Sequence, residues 1–249
     1  MPRQARKKSE SKIYHIMLRG INQQQIFEDT EDCDKFLDVL KDCKEICQFY
    51  VYAYCLMGNH IHLLIKEGTE TLEQVFKRIC GRFVYWYNIK YCRVGHLFQD
   101  RFKSEPVDTN EYLLTVVRYI HQNPIKAGLC SCVSDYVYSS YGEYFGRSNL
   151  VDTDYILGLC PKNEFIELNN SISDASCLDI SEKVIVRVTD EQAKMLIRKI
   201  SKCESVAEFQ NLELSKRDKA LKKLREKGLS IRQLSRLTGI SISVIRKVG

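Results

Sequence analysis

The sequence predicts an α+β protein: a ferredoxin-like split β-α-β domain, an antiparallel sheet with helices on one face, followed by an all-α carboxy-terminal region. Three observations lead there. Apolar spacing switches between two-residue and helical periods in the order β-α-β-β-α-β plus one further helix. Gly58-Asn59 interrupts two strand-like runs as a tight turn would. Beyond about residue 190, helical spacing alone returns. The expected divisions are 1–148, 149–189 as a connector with one short helix, and 190–249.

Taken in order, Tyr14 to Arg19 reads as a strand closed by Gly20, and Phe36, Leu37, Leu40, Cys43 and Cys47 form a helical stripe from about Asp32 to Cys47. Gln48 to Leu56 carries Phe, Tyr, Val, Tyr and Cys, which favours a strand, and His60 to Lys66 returns as its partner strand. Thr71 and Gln74 have capping-box spacing ahead of Leu72, Val75, Phe76, Ile79, Phe83 and Trp86. Leu97 to Val107 is expected to be a strand. Asn110 is expected to cap a helix running to about Asn123, because the residue before Pro124 avoids the helical region.

Apolar residues make up 44% and charged residues 28% of the 249, which suits a packed core rather than disorder. No apolar run approaches the ~18 residues of a membrane span, and the start is basic and polar without a signal-peptide centre, so a cytoplasmic protein with no membrane partner is expected. Eleven cysteines are scattered, odd in number and without a Cys-x-x-Cys pair, which points to reduced buried thiols. Residues 216–249 hold 11 basic against 2 acidic residues, whereas 1–215 hold 27 against 30. With Arg3, Arg6, Lys7, Lys8 and Lys12 this puts positive charge at both ends, fitting either a polyanion partner or two solvated tails.

His60 and His62 alternate onto one strand face, and two neutral imidazoles ~6 to 7 Å apart there can converge on one divalent ion. Two polar residues on a half-exposed strand would look the same. In the last helix Tyr112, Val116, Tyr119 and Asn123 share a face, so Tyr119 presents its phenol beside the amide of Asn123. The Asn123 oxygen could complete a His, His, Asn site, whose ion would polarise a phosphate for a phenol that is otherwise a poor nucleophile. Tyr119 could equally be one of 14 tyrosines packed into a core.

Three segments, Tyr14-His15-Ile16-Met17-Leu18-Arg19-Gly20, Met57-Gly58-Asn59-His60-Ile61-His62-Leu63-Leu64 and Tyr119-Ile120-His121-Gln122-Asn123-Pro124-Ile125-Lys126-Ala127-Gly128-Leu129, resemble the REP-associated branch of the single-tyrosine, HUH-class transposases over about residues 10–145. Ile21 departs from the asparagine that often follows the Arg-Gly. The resemblance implies a ferredoxin-like catalytic domain that binds Mg or Mn and acts on single-stranded or hairpin DNA. It implies Tyr119 as nucleophile forming a 5′-phosphotyrosine link, and His60, His62 and Asn123 as metal ligands, Asn123 standing where related transposases use glutamine. Arg19, Arg101 and Lys103 are candidates for holding phosphates, with structural ion pairs the competing reading. Whether a homodimer shares the tyrosine helix stays open.

Compact members of that family end soon after the catalytic domain, so the tail is read on its own. A basic helix from Arg217 to Lys227, Ser230 capping Ile231 to Thr238, a turn at Gly239 and Ser241 capping a last helix through Lys247 resemble a helix-turn-helix. Its seam is Leu221, Leu224, Leu229, Ile231, Leu234, Leu237, Ile240, Ile242 and Ile245, leaving Arg232, Ser243, Arg246 and Lys247 for DNA. A small bundle for protein contacts fits the same pattern. The rival functions are a DNA-binding regulator on a decayed transposase body and a metal phosphodiesterase that uses water.

Overall fold

In a computed structural model, which describes residues 6–146, 150–171, 177–178 and 190–248, the chain forms two compact units, Met1–Val184 and Ile185–Gly249. Arg3 of the basic amino end and residues 172–176 and 179–189 of the expected connector lie outside the described residues.

The first unit runs β1 (Ile13–Arg19), α1 (Thr30–Cys47), β2 (Tyr50–Met57), β3 (His60–Lys66), α2 (Leu72–Lys90), β4 (Lys103–Pro106), α3 (Asn110–Lys126), α4 (Thr153–Leu159) and α5 (Lys162–Asn170). Its sheet has the order β2-β3-β1-β4 with every pair antiparallel, which is the ferredoxin-like arrangement. Alternation sorts the strands into two faces. Ile16 and Leu18 of β1 and Ile61, Leu63 and Ile65 of β3 are buried on one, with the apolar stripes of α1 (Phe36, Leu40, Cys43) and α2 (Val75, Phe76, Ile79, Phe83) in the same core. Each such side chain contributes about 1.5–3 kcal/mol by leaving water. The other face carries the histidines and receives α3.

Local chemistry fixes the helix ends. Asp29 and Asp32 cap α1 reciprocally, and Lys90 at the end of α2 reaches Asp29 at 2.7 Å and both Glu31 and Asp32 at 2.8 Å. At α2, the Thr71 backbone N–H donates to Gln74 Oε1 at 3.2 Å.

Four expectations are corrected. The continuous strand within 97–107 is only Lys103–Pro106; ahead of it Phe98 makes an isolated antiparallel bridge to Gly20, with Ile21 N donating to Leu97 O and Gln99 N to Arg19 O. Thr109 rather than Asn110 caps α3, accepting from Tyr112 N at 3.2 Å. The helix also continues through Pro124 to Lys126; one backbone bond is forfeited, but Pro124 is buried and Ala127 N still reaches Asn123 O. Finally, 150–171 holds two helices, not one, and Leu150, Val151, Ile156, Cys160 and Phe165 lie in the first unit's core.

Residues 136–144 run along the outer side of β2: Leu56 N donates to Tyr138 O, Tyr54 N to Ser140 Oγ, and the Tyr144 hydroxyl to Tyr52 O. That edge is thereby closed.

The second unit is all helical: α6 (Asp190–Ser201), α7 (Val206–Gln210), α8 (Leu214–Glu226), α9 (Ile231–Thr238) and α10 (Ile242–Lys247). Ile197, Phe209, Leu221, Leu224, Leu229, Leu234, Ile240 and Ile245 fill its core. Ser230 caps α9 by accepting from Gln233 N at 3.0 Å, and Gly239 takes the left-handed φ of 69° that ends it. Ile242 is 38% exposed and does not join the seam assigned to it. Helix α7 has no counterpart among the sequence-based expectations.

Candidate active site

The site grows from the β2–β3 turn. Gly58 O accepts from Ile26 N at 2.8 Å and Phe27 N at 3.2 Å, while Asn59 O accepts from Gly20 N at 2.9 Å, so the turn is bound to the chain leaving β1. A Cβ on Gly20 would stand 2.2 Å from Gln24 O, a backbone atom that cannot yield without moving the loop. Cross-strand register then assembles one polar face. Arg19 lies opposite His60, Met17 opposite both His62 and Lys103, and His15 opposite Glu105.

Each ligand candidate has one ring nitrogen engaged. His60 Nδ1 is 2.7 Å from Asn59 Oδ1, and because an amide oxygen can only accept, the proton sits on Nδ1 and the lone pair on Nε2. His62 Nδ1 is 2.9 Å from His15 Nε2, and His62 Nε2 is buried with no hydrogen-bond partner among the described residues. The His60 and His62 rings stand 5.1 Å apart, nearly perpendicular. Burial, reinforced by His60 and His15, holds the His62 pKa well below the usual imidazole range. A neutral ring that keeps a lone pair is what metal ligation requires.

Helix α3 brings Tyr119 to this pair. Its ring meets His62 and His15 edge-on, each at 5.8 Å, and Lys126 Nζ lies 4.5 Å from its centroid. Tyr119 is 4% exposed: the ring is buried, and it is buried against the histidines. One turn on, Asn123 Nδ2 donates to Tyr119 O at 3.3 Å, leaving the amide oxygen as the end that can face a cation.

The two residues between them anchor the helix. His121 bonds Asn169 Oδ1 and Ser140 Oγ, each at 2.8 Å, and Gln122 Nε2 donates to Asn169 O at 2.8 Å and Ser171 O at 2.7 Å. Complete burial pushes the His121 imidazole down to about 4, so it is neutral here.

Of the sequence-derived candidates, His60, His62 and Tyr119 are brought together, with Asn123 on the adjacent helical turn. Lys103 is exposed on the histidine face of β4. Arg101 is exposed on the preceding bend and lines a groove of about 690 Å³ with Arg6, Phe98 and Phe102. Arg232, Ser243, Arg246 and Lys247 are exposed on the second unit, where Lys247 lines a groove of about 530 Å³ with Arg217, Lys219 and Lys222. Sequence reasoning missed the roles of His15, Asn59, Glu105 and Lys126. Parity puts His15 on one strand face with Met17 and Arg19, and the β1–β3 register puts that face beside His60 and His62. Among the described residues no group of three or more His, Cys, Asp or Glu side chains is arranged to hold a metal. All eleven cysteines are free thiols, as expected, but only seven are buried: Cys80 and Cys130 are half-buried and Cys92 and Cys132 exposed.

Residues 8–123 match the family described as transposase IS200 like. Over 124 residues the chain is 28% identical to a provisionally named REP-associated tyrosine transposase of Haemophilus influenzae, spanning 45% of this chain and 70% of that one. A solved structure of a REP-associated tyrosine transposase bound to a REP hairpin shares the fold, with a TM-score of 0.56 at 18% identity over 73% of this chain and 98% of the other. A provisionally named transposase from Deinococcus radiodurans aligns at a TM-score of 0.35 and 17% identity, over 49% of this chain and 97% of its own.

Proposed function

We propose that this chain, an IS200-like transposase relative over residues 8–123, is a metal-dependent nuclease and strand transferase acting on single-stranded or hairpin DNA inside the cell, with Tyr119 as nucleophile. The observation that carries the reading is the contact of the Tyr119 ring with His62 at 5.8 Å, beside His60. The donor set is a mixed nitrogen and oxygen one for a divalent ion, which the family resemblance makes Mg or Mn. Among the described residues His62 Nε2 is a buried nitrogen without a hydrogen-bond partner, the bond to Asn59 leaves His60 Nε2 its lone pair, and the Asn123 oxygen is the third candidate ligand. When bound, the ion would withdraw charge from the oxygens of the scissile phosphate.

Tyr119 Oη would then form a bond to phosphorus as the bond to the 3′ oxygen breaks. The products are a 5′-phosphotyrosine and a free 3′ hydroxyl that ends with the phenol's proton. Attack by another 3′ hydroxyl reverses the step, joins strands and restores tyrosine without ATP. Arg19 and Lys103 on the same sheet face, and Arg101 nearby in sequence, would hold flanking phosphates. Because Tyr119 is 4% exposed, DNA must displace covering side chains, Lys126 among them, to reach the phenol. The reading takes the tyrosine and the histidines from one chain, where their rings are in contact. In the second unit, exposed Arg232, Ser243, Arg246 and Lys247 would contact target DNA through 190–249.

The test is incubation with labelled hairpin DNA and Mn followed by a denaturing gel. A covalent adduct with the wild type and none with Tyr119→Phe is expected. Cleavage without adduct would favour a hydrolase, and tight binding with neither would favour a regulator.

A further inference from the structure

Fixing the proton on one nitrogen of His62 is a separate problem from placing its ring. His15 and His62 are both completely buried, and their facing nitrogens, Nε2 and Nδ1, are 2.9 Å apart. A single proton occupies that bond, so two arrangements exist. In one, His15 Nε2 donates, His62 Nδ1 accepts and the His62 proton moves to Nε2, where no lone pair remains for a cation. In the other, His62 Nδ1 donates, Nε2 keeps its lone pair, and the His15 proton must sit on Nδ1.

What decides between them lies beyond His15. The Glu105 carboxylate, opposite His15 on the edge strand β4, has Oε2 at 3.8 Å from His15 Nδ1. Leu178 N donates to the same oxygen at 3.0 Å, which holds the carboxylate in place. A negative charge there favours a proton on His15 Nδ1, and with it the arrangement that frees His62 Nε2. His60 receives the same service from Asn59 by a different route.

We propose that Glu105 and His15 form a relay of positioning residues that sets the tautomer of His62, making its Nε2 a ready ligand for a divalent cation. The inference rests on the reading of His62 as a metal ligand, but its primary test needs no metal. A chain of carboxylate, imidazole and ligand imidazole spreads the field of one charge across the sheet from β4 through β1 to β3. Neither outer member needs to touch DNA or the ion.

Long-range proton–nitrogen NMR on histidine-labelled, metal-free protein reads the tautomer directly. The expected wild-type spectrum has His62 protonated on Nδ1 and bare on Nε2; a proton on Nε2 would overturn the relay whatever the protein does with metal. In Glu105→Gln the Nε2–H form should gain population, and Mn affinity by calorimetry should fall by about 10- to 100-fold. Because Glu105 is on an edge strand with its side chain 34% exposed, that variant should fold. His15→Gln, which offers an amide oxygen to His62 Nδ1, should keep more Mn affinity than His15→Leu. Unchanged tautomer and affinity within twofold in Glu105→Gln would refute the role of the carboxylate. Failure of wild type to bind Mn while His62 still shows the Nδ1–H form would sink the metal reading alone, leaving the tautomer's dependence on Glu105 to decide the relay.

Discussion

Removing the His121 side chain should cost far more than an average substitution, because its hydrogen bonds form one directed chain through the first unit. Tyr54 N donates to Ser140 Oγ at 2.9 Å, the Ser140 hydroxyl to His121 Nε2, His121 Nδ1 to Asn169 Oδ1, and Asn169 Nδ2 to Phe165 O at 2.8 Å. Ser140, His121 and Asn169 are each 0% exposed, so water cannot replace a lost partner without entering the core. In His121→Ala the Ser140 hydroxyl and Asn169 Oδ1 are both orphaned at about 1–3 kcal/mol each. The imidazole also leaves a void against Tyr141, Tyr144 and Phe165, giving about 3–5 kcal/mol in all. Set against a typical total of about 5–15 kcal/mol, that is a large share. Asn169→Ala breaks the same chain one link on, so the double variant should be less destabilised than the sum of the two by about 1–2 kcal/mol. Urea unfolding followed by the fluorescence of Trp86, the single tryptophan and a residue of this unit, measures all three. A His121→Ala cost below about 1 kcal/mol, or a coupling below about 0.5 kcal/mol, would show that the chain of bonds is not a connected unit.

Three further outcomes follow from the same structure. The buried His121 imidazole titrates at about 4 and an unfolded one near 6.5, so the unfolded chain binds more protons between those values. Stability should therefore fall as pH drops through that window, by about 2 kcal/mol from pH 7 to pH 5, and His121→Gln should lose that share of the slope in paired urea titrations. Gly20→Ala should destabilise the first unit by at least about 2 kcal/mol and reduce Mn binding, since its Cβ would collide with Gln24 O in the loop that seats the Asn59 turn; an unchanged urea midpoint would contradict it. Arg246→Ala and Lys247→Ala should each lower the slope of log affinity against log salt for duplex DNA by about one, whereas equal slopes would remove the second unit's last helix from the DNA contact.

Much of the first unit was legible because its signals are local. The change of period along 14–123, the Gly58-Asn59 turn and the Thr71–Gln74 cap each need only a few neighbouring residues to be read, and His60 and His62 two apart must share a strand face. What was not legible depends on register between distant segments. His15 meets His62 across 47 positions, and nothing in either local sequence says which β1 residue stands beside which β3 residue. Over 97–107, spaced apolar residues suggested one strand, but the bends around Asp100 and Arg101 divide it into an isolated bridge at Phe98 and the strand Lys103–Pro106. Pro124 was read as a stop because backbone preference was weighed without the burial that outweighs it. The two short helices in 150–171 have few turns in which to establish a period, and Ile242 was assigned to a seam on residue type alone.

The clasp from Gln122 to the carbonyls of Asn169 and Ser171 also bears on how the molecule can be dissected. A fragment trimmed to the matched segment 8–123, or ended at residue 148, would discard the acceptors that hold the tyrosine helix and strip Phe165 from against Tyr144. Such a piece could retain every residue of the proposed chemistry and still be inactive or insoluble. The shortest recombinant version able to report on the reaction must extend past Ser171, and a dead shorter one would say nothing against Tyr119.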